Sequence, residues 1–426
     1  MSAPPPQDPP HVVVVGGGFA GLWATRALAS APVRITLIDR RNHHLFQPLL
    51  YQVATAGLSA PDIAAPLRHI LRGQRNVEVR LGEVTGLDCA SRTLTLADGN
   101  RLGYDTLLLA SGATHAYFGH DAWAAHAPGL KTLDDALQIR RRLLLAFERA
   151  EASDDPVERA AWLHFAVVGG GPTGVELAGT LAEISRKTLR REFRRIDPAR
   201  ARVRLIEAGP RVLANFPESL SEKARAQLQR LGVEVVTGTP VAEIDGRGYR
   251  LGAEFVPART VLWAAGVAAS PLGALLDAPR DRAGRILVEP DLSVPGYPEI
   301  FVAGDLASVK QANGQPVPGV APGAKQMGAY VASAIRARLG HRAVGPFRYV
   351  DFGNLATIGR RAAVVDLRGF KFSGFAAWVF WLAAHVFFLI GFRNRLIVML
   401  NWSWAYFTYQ RHARIIFGTG EDTTRG

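Results

Sequence analysis

The chain has 426 residues, 48% of them apolar, with 43 glycines and a formal net charge of +13, too long for one compact core and suited to a glycine-rich α/β protein of two or three domains. Cys89 is the only cysteine, which excludes an intramolecular disulfide, a Cys-x-x-Cys redox pair and a cysteine metal cluster, and favours a reducing compartment; no metal site is expected. The basic clusters Arg140–Arg142 and Arg186, Lys187, Arg190, Arg191, Arg194, Arg195 suit solvated helix faces or an anionic membrane surface. Nucleic acid is disfavoured, because no recognition motif or aromatic platform accompanies them.

Met1–Pro10 is proline-rich and polar and reads as a disordered tail, not a signal peptide. His11–Val15 is a β-branched strand that enters Gly16-Gly17-Gly18-Phe19-Ala20-Gly21. Leu22–Ser30 follows as a helix and Val33–Ile38 as a strand, with Asp39 at its end. This β-turn-α-β order, with an acid roughly 20 residues beyond the glycines, is the context of a dinucleotide fingerprint. The glycines admit a pyrophosphate close to the backbone, the helix start offers it amides, and Asp39 accepts from the adenosine ribose. Strands at Val77–Val79, Arg92–Leu96 and Tyr104–Ala110 come next, the last turning at Ser111-Gly112-Ala113 towards the cofactor; Cys89 falls in this strand–turn region as an inert packing residue. Lys131–Ala152 reads as a helix broken by Ser153-Asp154-Asp155-Pro156.

A second fingerprint then appears. The strand Phe165–Val168 leads to Gly169-Gly170-Gly171-Pro172-Thr173-Gly174, a long helix over Val175–Phe193 and a strand Val203–Ile206 ending at Glu207. The basic residues repeat at three- and four-residue spacing along that helix, which stacks them on one side. An acid at Glu207 favours a free 2′-hydroxyl, hence NADH over NADPH, although Arg211 weakens the preference. Glu176 lies in the first helical turn, where the dipole favours a carboxylate. Thr260–Ala264 turns at Ala265-Gly266, and Ile300–Ala303 precedes Gly304-Asp305, a carboxylate placed to hold a flavin ribityl chain.

Between Lys371 and Arg393 lie 21 residues without Asp, Glu, Lys or Arg, just long enough to reach across a bilayer. On a helix, Gly374, Ala377, Ala384 and Gly391 share one side, while Phe375, Val379, Leu382 and Leu389 form a bulky side suited to lipid. Arg393, Arg395, Arg411 and Arg414 flank Trp402, Trp404, Tyr406 and Tyr409, a mixture that fits the headgroup layer. A buried helical hairpin is the alternative.

The order of glycine loop, acid, Ser-Gly turn, second glycine loop, second acid, Ala-Gly turn and Gly-Asp resembles the two-dinucleotide-binding-domain flavoproteins. Within them the chain resembles the type II NADH dehydrogenases, single-subunit NADH:quinone oxidoreductases, from His11 to Phe417. The stretches Phe46–Ala54, Gly169–Gly179 and Pro318–Gln326 and the aromatic C-terminus carry the resemblance. It implies an α/β fold of two Rossmann-like domains of glutathione-reductase type with a C-terminal membrane-associating helical region. The expected division is a tail over 1–10, an FAD domain over 11–150 and 271–340, an NADH domain over 160–270, and a C-terminal domain over 341–426.

The resemblance places non-covalent FAD on Gly16, Gly18, Phe19, Ala20, Gly21, Asp39, Arg40, Pro48, Leu49, Val84, Ala110, Ser111, Gly112, Gly304, Asp305 and Gln326. NADH falls to Gly169, Gly171, Pro172, Thr173, Gly174, Glu176, Glu207, Ala265 and Gly266, and Glu176, Lys325 and Gln326 are the catalytic candidates. Disulfide reductases and sulfide:quinone reductases of this superfamily need cysteines beside the flavin. Phe46–Ala54 has none, so electrons pass directly to a diffusible acceptor. Many relatives carry Ala-Gln where this chain has Ala321-Pro322, so no quinone contact carries over to position 322. The expected reaction is hydride transfer from NADH to flavin N5, then two electrons to a membrane quinone, with Lys371 and Phe372 at the quinone entrance and no proton pumping. The resemblance also implies a monotopic enzyme on an anionic lipid surface at the cytoplasmic face of the inner membrane, with a homodimer as an option. A soluble flavoprotein reductase serving an iron–sulfur or haem protein, and a non-catalytic NADH-binding membrane sensor, are the competing readings.

Overall fold

The computed structural model describes residues 8–311, 313–390, 392–408, 410–411 and 413–416, so most of the proline-rich tail, Gly391, Tyr409 and Phe417 lie outside the described residues. The chain forms two units, one of the segments to Leu45, Ala64–Thr114 and Val267–Phe352, the other of Phe46–Ile63, His115–Gly266 and the segment from Gly353.

The first unit is built on a six-stranded sheet whose order is Ser293–Val294, Tyr297–Val302, Thr106–Leu109, His11–Val15, Arg34–Asp39 and Val77–Leu81. His11–Val15 is buried along its whole length, as expected of a β-branched run covered on both faces in a parallel sheet. Val15 pairs with Ile38 on one side and Leu109 on the other, and Val302 pairs with Leu109. Gly16, Ala110 and Gly304 therefore leave the sheet at its carboxyl edge, where the strand order reverses and α/β folds bind ligands. The helices Phe19–Ala27 and Ala321–Leu339 pack closely, since a Cβ at Gly328 would lie 2.1 Å from the Ala20 carbonyl.

The second unit repeats this plan with four parallel strands, in the order Val233–Thr237, Arg202–Glu207, His164–Val168 and Thr260–Trp263. Val168 pairs with Ile206 and with Trp263, which sets its glycine loop at the same kind of edge. The helix Leu133–Ala152, started by a Thr132–Asp135 capping box, also belongs to this unit. An antiparallel sheet of Asn354–Gly359, Ala362–Leu367 and Phe370–Ser373 presses on the helix Pro172–Glu183, where a Cβ at Gly179 would lie 1.6 Å from the Ile358 carbonyl.

Three expectations need correction. The helix expected over Val175–Phe193 stops at Glu183, followed by a π turn over Ile184–Thr188. Continuing it would stack like charges, and acceptors elsewhere in the unit win instead. The Arg186 guanidinium donates to the carbonyls of Leu231 and Gly232, and the Arg194 and Arg195 amides donate to Glu151 at 2.9–3.0 Å. The Arg140–Arg142 cluster is not a solvated face: Arg140 is buried, and Arg142 donates to the carbonyls of Ala125 and His126 at 2.8 and 2.9 Å.

The charge-free tail run is likewise not one helix. Phe372 is drawn into a strand opposite Val365, Gly374 turns the chain at φ +83°, and a helix spans only Phe375–Phe388. Leu389 leaves the helix with ψ 136° and is buried, so it is not on a lipid-facing side. A second helix covers Phe392–Thr408. Among the described residues no helix is long and apolar enough to cross a membrane.

Candidate active site

The first glycine loop is held by its own geometry. Gly16 adopts φ +107°, and a Cβ there would lie 2.3 Å from the Ala110 carbonyl, so no other residue fits the crossing to the neighbouring strand. A Cβ at Gly21 would lie 1.9 Å from the Gly16 carbonyl, whereas no described residue other than the chain neighbours stands within 4 Å of the position a Gly18 Cβ would take. The loop is thus filled on the sheet side and open at Gly18. The helix that starts at Phe19 has Gly18 as its N-cap, with no side-chain cap and no acid in its first turn, so its leading amides face that opening. Asp39 accepts from the Gly17 amide at 2.6 Å through Oδ2 and from the Arg41 amide at 2.7 Å through Oδ1. The Ser111 Oγ beside the same strand end is buried without a partner among the described residues, and a Cβ at Gly304 would lie 3.4 and 3.6 Å from the Ala20 and Ala324 side chains. An uncapped helix start, an open glycine cradle, a ribose-height carboxylate and an orphaned hydroxyl fit an ADP-containing dinucleotide such as FAD.

The other residues expected around FAD spread along both units. Asp305 sits in the Gly304–Leu306 turn, its Oδ1 3.4 Å from where a Gly319 Cβ would be. Val84 is buried at the start of the Val84–Asp88 strand, and Gly112 turns at φ +72°. Arg40 is exposed and faces Glu83 at 3.8 Å. Pro48 and Leu49 belong to the short Gln47–Leu49 helix of the second unit.

The second loop repeats the plan of the first. Gly169 has φ +110° and a Cβ there would lie 2.5 Å from the Ala264 carbonyl carbon; a Cβ at Gly174 would lie 1.8 Å from the Gly169 carbonyl oxygen; no described residue other than the chain neighbours stands within 4 Å of a Cβ at Gly171. Glu207 accepts from the Gly170 amide at 2.6 Å and from the Gly209 amide at 2.7 Å. Pro172 and Thr173 open the helix, again without a side-chain cap. Ala265 and Gly266 follow the Thr260–Trp263 strand, and Gly266 turns at φ +85° against Phe118. Arg211 does not compete for this site, because its guanidinium donates at 2.7–2.8 Å to Phe216 O and Ala214 O of its own loop and to Ser221 Oγ of the following helix Glu218–Arg230.

Glu176 lies in the second turn of its helix, not the first, and is 8% exposed. Burial pushes its carboxyl well above the usual carboxylate range, with a hydrogen bond from the Thr357 backbone opposing only in part. Burial therefore favours the protonated form of Glu176, and the dipole argument does not describe it. Sequence reasoning passed over its neighbourhood. Trp402 Nε1 donates to Gln52 Oε1 at 2.7 Å, and Gln52 Nε2 donates to the Tyr51 hydroxyl at 2.9 Å. Tyr51 is buried, which with the nearby Glu176 raises its phenol well above its ordinary value. Since its oxygen already accepts from Gln52, the Tyr51 O–H remains to donate. The signal was available only as Tyr51-Gln52 inside the Phe46–Ala54 stretch; Trp402 is 350 residues away.

Lys325 packs its ammonium 4.5 Å from the Trp23 ring centroid and 5.2 Å from that of Phe19, and burial lowers it to about 8. Gln326 is engaged by the backbone: its Nε2 donates to Val350 O at 2.9 Å and its Oε1 accepts from Val350 N at 2.8 Å. His44, also missed from sequence, donates from Nδ1 to Gly17 O at 3.0 Å. Burial lowers its pKa to about 4. Two tail arginines are not at a headgroup layer. Arg411 is 13% exposed and pairs with Glu183 at 3.4 Å, and Arg414 pairs with Glu192, because unit-internal carboxylates offer them better partners than solvent. Cys89 is half-buried in a turn, its thiol pushed up by burial and by Asp88, so it stays protonated.

The family model for pyridine nucleotide-disulphide oxidoreductases matches residues 10–328, and that for the NDH2 C-terminal domain matches 352–411. The chain is 46% identical over 425 residues to the type II NADH:quinone oxidoreductase Ndh of Mycobacterium tuberculosis, covering 96% of this chain and 91% of the relative. It is 31% identical to the demethylphylloquinone reductase NdbB of Synechocystis, covering 92% and 95%. Its fold is that of NDH2 from Plasmodium falciparum, solved in complex with NADH, with a TM-score of 0.87 at 20% identity, covering 96% of this chain and all of that one. The sulfide:quinone oxidoreductase of Aquifex aeolicus has the same fold at a TM-score of 0.73, covering 91% and 92%. With both nucleotide loops, both acids and the C-terminal domain in place, the chain belongs to the type II NADH:quinone oxidoreductase family.

Proposed function

We propose that the first loop holds FAD, the second holds NADH, and the acceptor is a membrane quinone. The observation that carries this assignment is the pair of matching loops, each with an open glycine, an uncapped helix start and a carboxylate fixed by two backbone amides. When bound, FAD supplies a two-electron carrier that accepts hydride from the nicotinamide and passes electrons to the quinone. Asp39 and Glu207 orient the two riboses, Glu207 favouring an unphosphorylated 2′-hydroxyl and hence NADH. Glu176 holds a proton at its carboxyl, and Tyr51 offers its hydroxyl proton, aimed by the Gln52 and Trp402 chain. Of the three catalytic candidates, Glu176 fits the role best; Lys325 supplies positive charge in the first unit, and Gln326 braces Val350.

With a single cysteine there is no dithiol to relay electrons, so the acceptor takes them directly from the flavin. The exposed Phe375, Phe380, Phe387, Leu400, Trp404 and Phe407 of the C-terminal helices form apolar surface suited to a bilayer interface, and the net charge of +13 suits anionic headgroups. The enzyme is accordingly monotopic, lies at the cytoplasmic face of the inner membrane, and transfers electrons without pumping protons. Purified protein under anaerobic conditions decides the matter in one experiment. NADH should bleach the flavin absorbance in a stopped-flow trace, and a quinone analogue should restore it. A flavin that NADH leaves oxidised, or that only a protein acceptor reoxidises, refutes the proposal.

A further inference from the structure

In both loops the middle glycine is gripped at its two ends. The Gly17 amide is held by Asp39 at 2.6 Å and its carbonyl by His44 Nδ1 at 3.0 Å. The Gly170 amide is held by Glu207 at 2.6 Å and its carbonyl by the Leu213 backbone amide at 2.7 Å. The acid of each grip is the residue the fingerprint announces, but the carbonyl donor differs in kind: a side chain in the first loop, main chain in the second. A trans peptide is planar, with C=O and N–H pointing in opposite directions, and there are no cis bonds among the described residues. Fixing the Gly17 carbonyl therefore fixes the next amide, Gly18 N–H, pointing away from His44. That amide borders the open side of the loop, where no described residue other than the chain neighbours stands within 4 Å of the Gly18 Cβ position.

We infer that His44 is a positioning residue for FAD: its Nδ1–H clamps the Gly17 carbonyl and so aims the Gly18 amide at the cofactor's pyrophosphate. The inference rests on the reading that FAD occupies the first loop. The donor role is required by chemistry, because the partner is a carbonyl oxygen and cannot itself donate. His44 is 2% exposed and packs edge-on against Phe19 at 5.0 Å, so the ring cannot swing aside. Its Nε2 is buried without a partner among the described residues, where the Gly17 bond is the one hydrogen bond the ring makes. An asparagine, whose amide nitrogen reaches nearly where Nδ1 lies, should therefore replace it, and a phenylalanine of similar volume should not.

The test compares wild type, His44→Asn and His44→Phe as full-length holoprotein. FAD release is followed by the fluorescence of freed flavin on dilution, and NADH affinity at the second loop serves as the internal control. Wild type and His44→Asn should hold FAD within about threefold of one another. His44→Phe should release it roughly tenfold more readily, a factor equivalent to ~1.4 kcal/mol, with NADH affinity unchanged. Equal retention by His44→Phe, or equal loss in His44→Asn and His44→Phe, overturns the clamp. Should the phenylalanine variant not fold, the histidine tautomer decides: the ¹⁵N signals missing from labelled His44→Asn must report Nδ1–H in the wild type, and an Nε2–H tautomer overturns the inference. A colourless wild-type protein, by contrast, indicts the FAD reading itself.

Discussion

Removal of the Arg411 guanidinium tests how the C-terminal segment is tied to the helix Pro172–Glu183. Arg411 pairs with Glu183, the last residue of the helix Pro172–Glu183, at 3.4 Å and donates to the Thr55 carbonyl at 3.0 Å. The two side chains are 13% and 17% exposed, so solvent cannot replace the lost partner. Burial already pushes Glu183 up, and Arg411 is the largest influence holding it down. Breaking one side of such a buried pair costs about 3–5 kcal/mol, because a charge or an unmet carboxyl stays behind. Slight exposure and the second bond to Glu183 from the Arg360 amide put the expected loss for Arg411→Met near 3 kcal/mol. Glu183→Gln with Arg411→Met removes both charges and should be less destabilised than the two single losses summed, by at least ~1 kcal/mol of coupling. Urea unfolding read by tryptophan fluorescence, with the four proteins forming a double-mutant cycle, measures it. Additive losses, or an Arg411→Met variant within ~1 kcal/mol of wild type, would refute the buried-pair argument.

Gly21→Ala and Gly174→Ala separate the two cofactors, because each new Cβ meets the carbonyl of its own loop at 1.9 or 1.8 Å. The first should lose FAD and keep NADH affinity, the second the reverse, each by roughly 5–150-fold for an overpacking cost of about 1–3 kcal/mol; equilibrium binding of each nucleotide checks this. Glu207→Arg should move preference from NADH towards NADPH, and unchanged kcat/KM for both nucleotides counts against the ribose role. Glu176 keeps a proton in the folded protein that the unfolded chain gives up near its ordinary value of 4.5, so it lowers stability as pH rises above 4.5 until its own raised pKa is passed. The slope is up to about 1.4 kcal/mol per pH unit, and Glu176→Gln should flatten it in unfolding curves taken from pH 5 to 8 while slowing quinone turnover. Phe387 and Phe407, 69% and 80% exposed, should each carry about tenfold of affinity for anionic vesicles if buried in the interface; a Phe387→Ser, Phe407→Ser protein that sediments with vesicles like wild type removes that surface from the membrane reading.

What could be read from the sequence was whatever depends on local order along a strand and its turn. The β-branched run at His11–Val15, the glycine loop after it and the acid after the next strand each state their geometry within a few residues, and all stand where expected. What escaped was set by partners distant in sequence. The arginines after Glu183 looked helical by spacing, yet Glu151 and the Leu231–Gly232 carbonyls draw them out of register. Arg411 looked like a headgroup residue because nothing nearby announced Glu183, 228 positions away. His44 carried no signal at all, since a histidine three residues past Arg41 becomes a clamp only when the fold brings the Gly17 carbonyl to it.

The two acids show why the local part is so robust. Asp39 follows the Gly17 amide it binds by 22 residues, Glu207 follows Gly170 by 37, yet the contact is 2.6 Å in both. Loop length does not set this distance; register does. Val15 pairs with Ile38 and Val168 with Ile206, so in each sheet the acid is the residue after the partner of the strand's last valine. Whatever is inserted between the helix and the second strand, parallel pairing returns the next side chain to the mouth of the loop. One carboxylate oxygen then binds the middle glycine and the other the amide two residues on, which fixes the group's orientation while leaving lone pairs for two ribose hydroxyls. The longer π-turned insertion of the second unit is therefore free to engage the rest of that unit without disturbing the nucleotide site, which is why the same fingerprint operates at two different spacings in one chain.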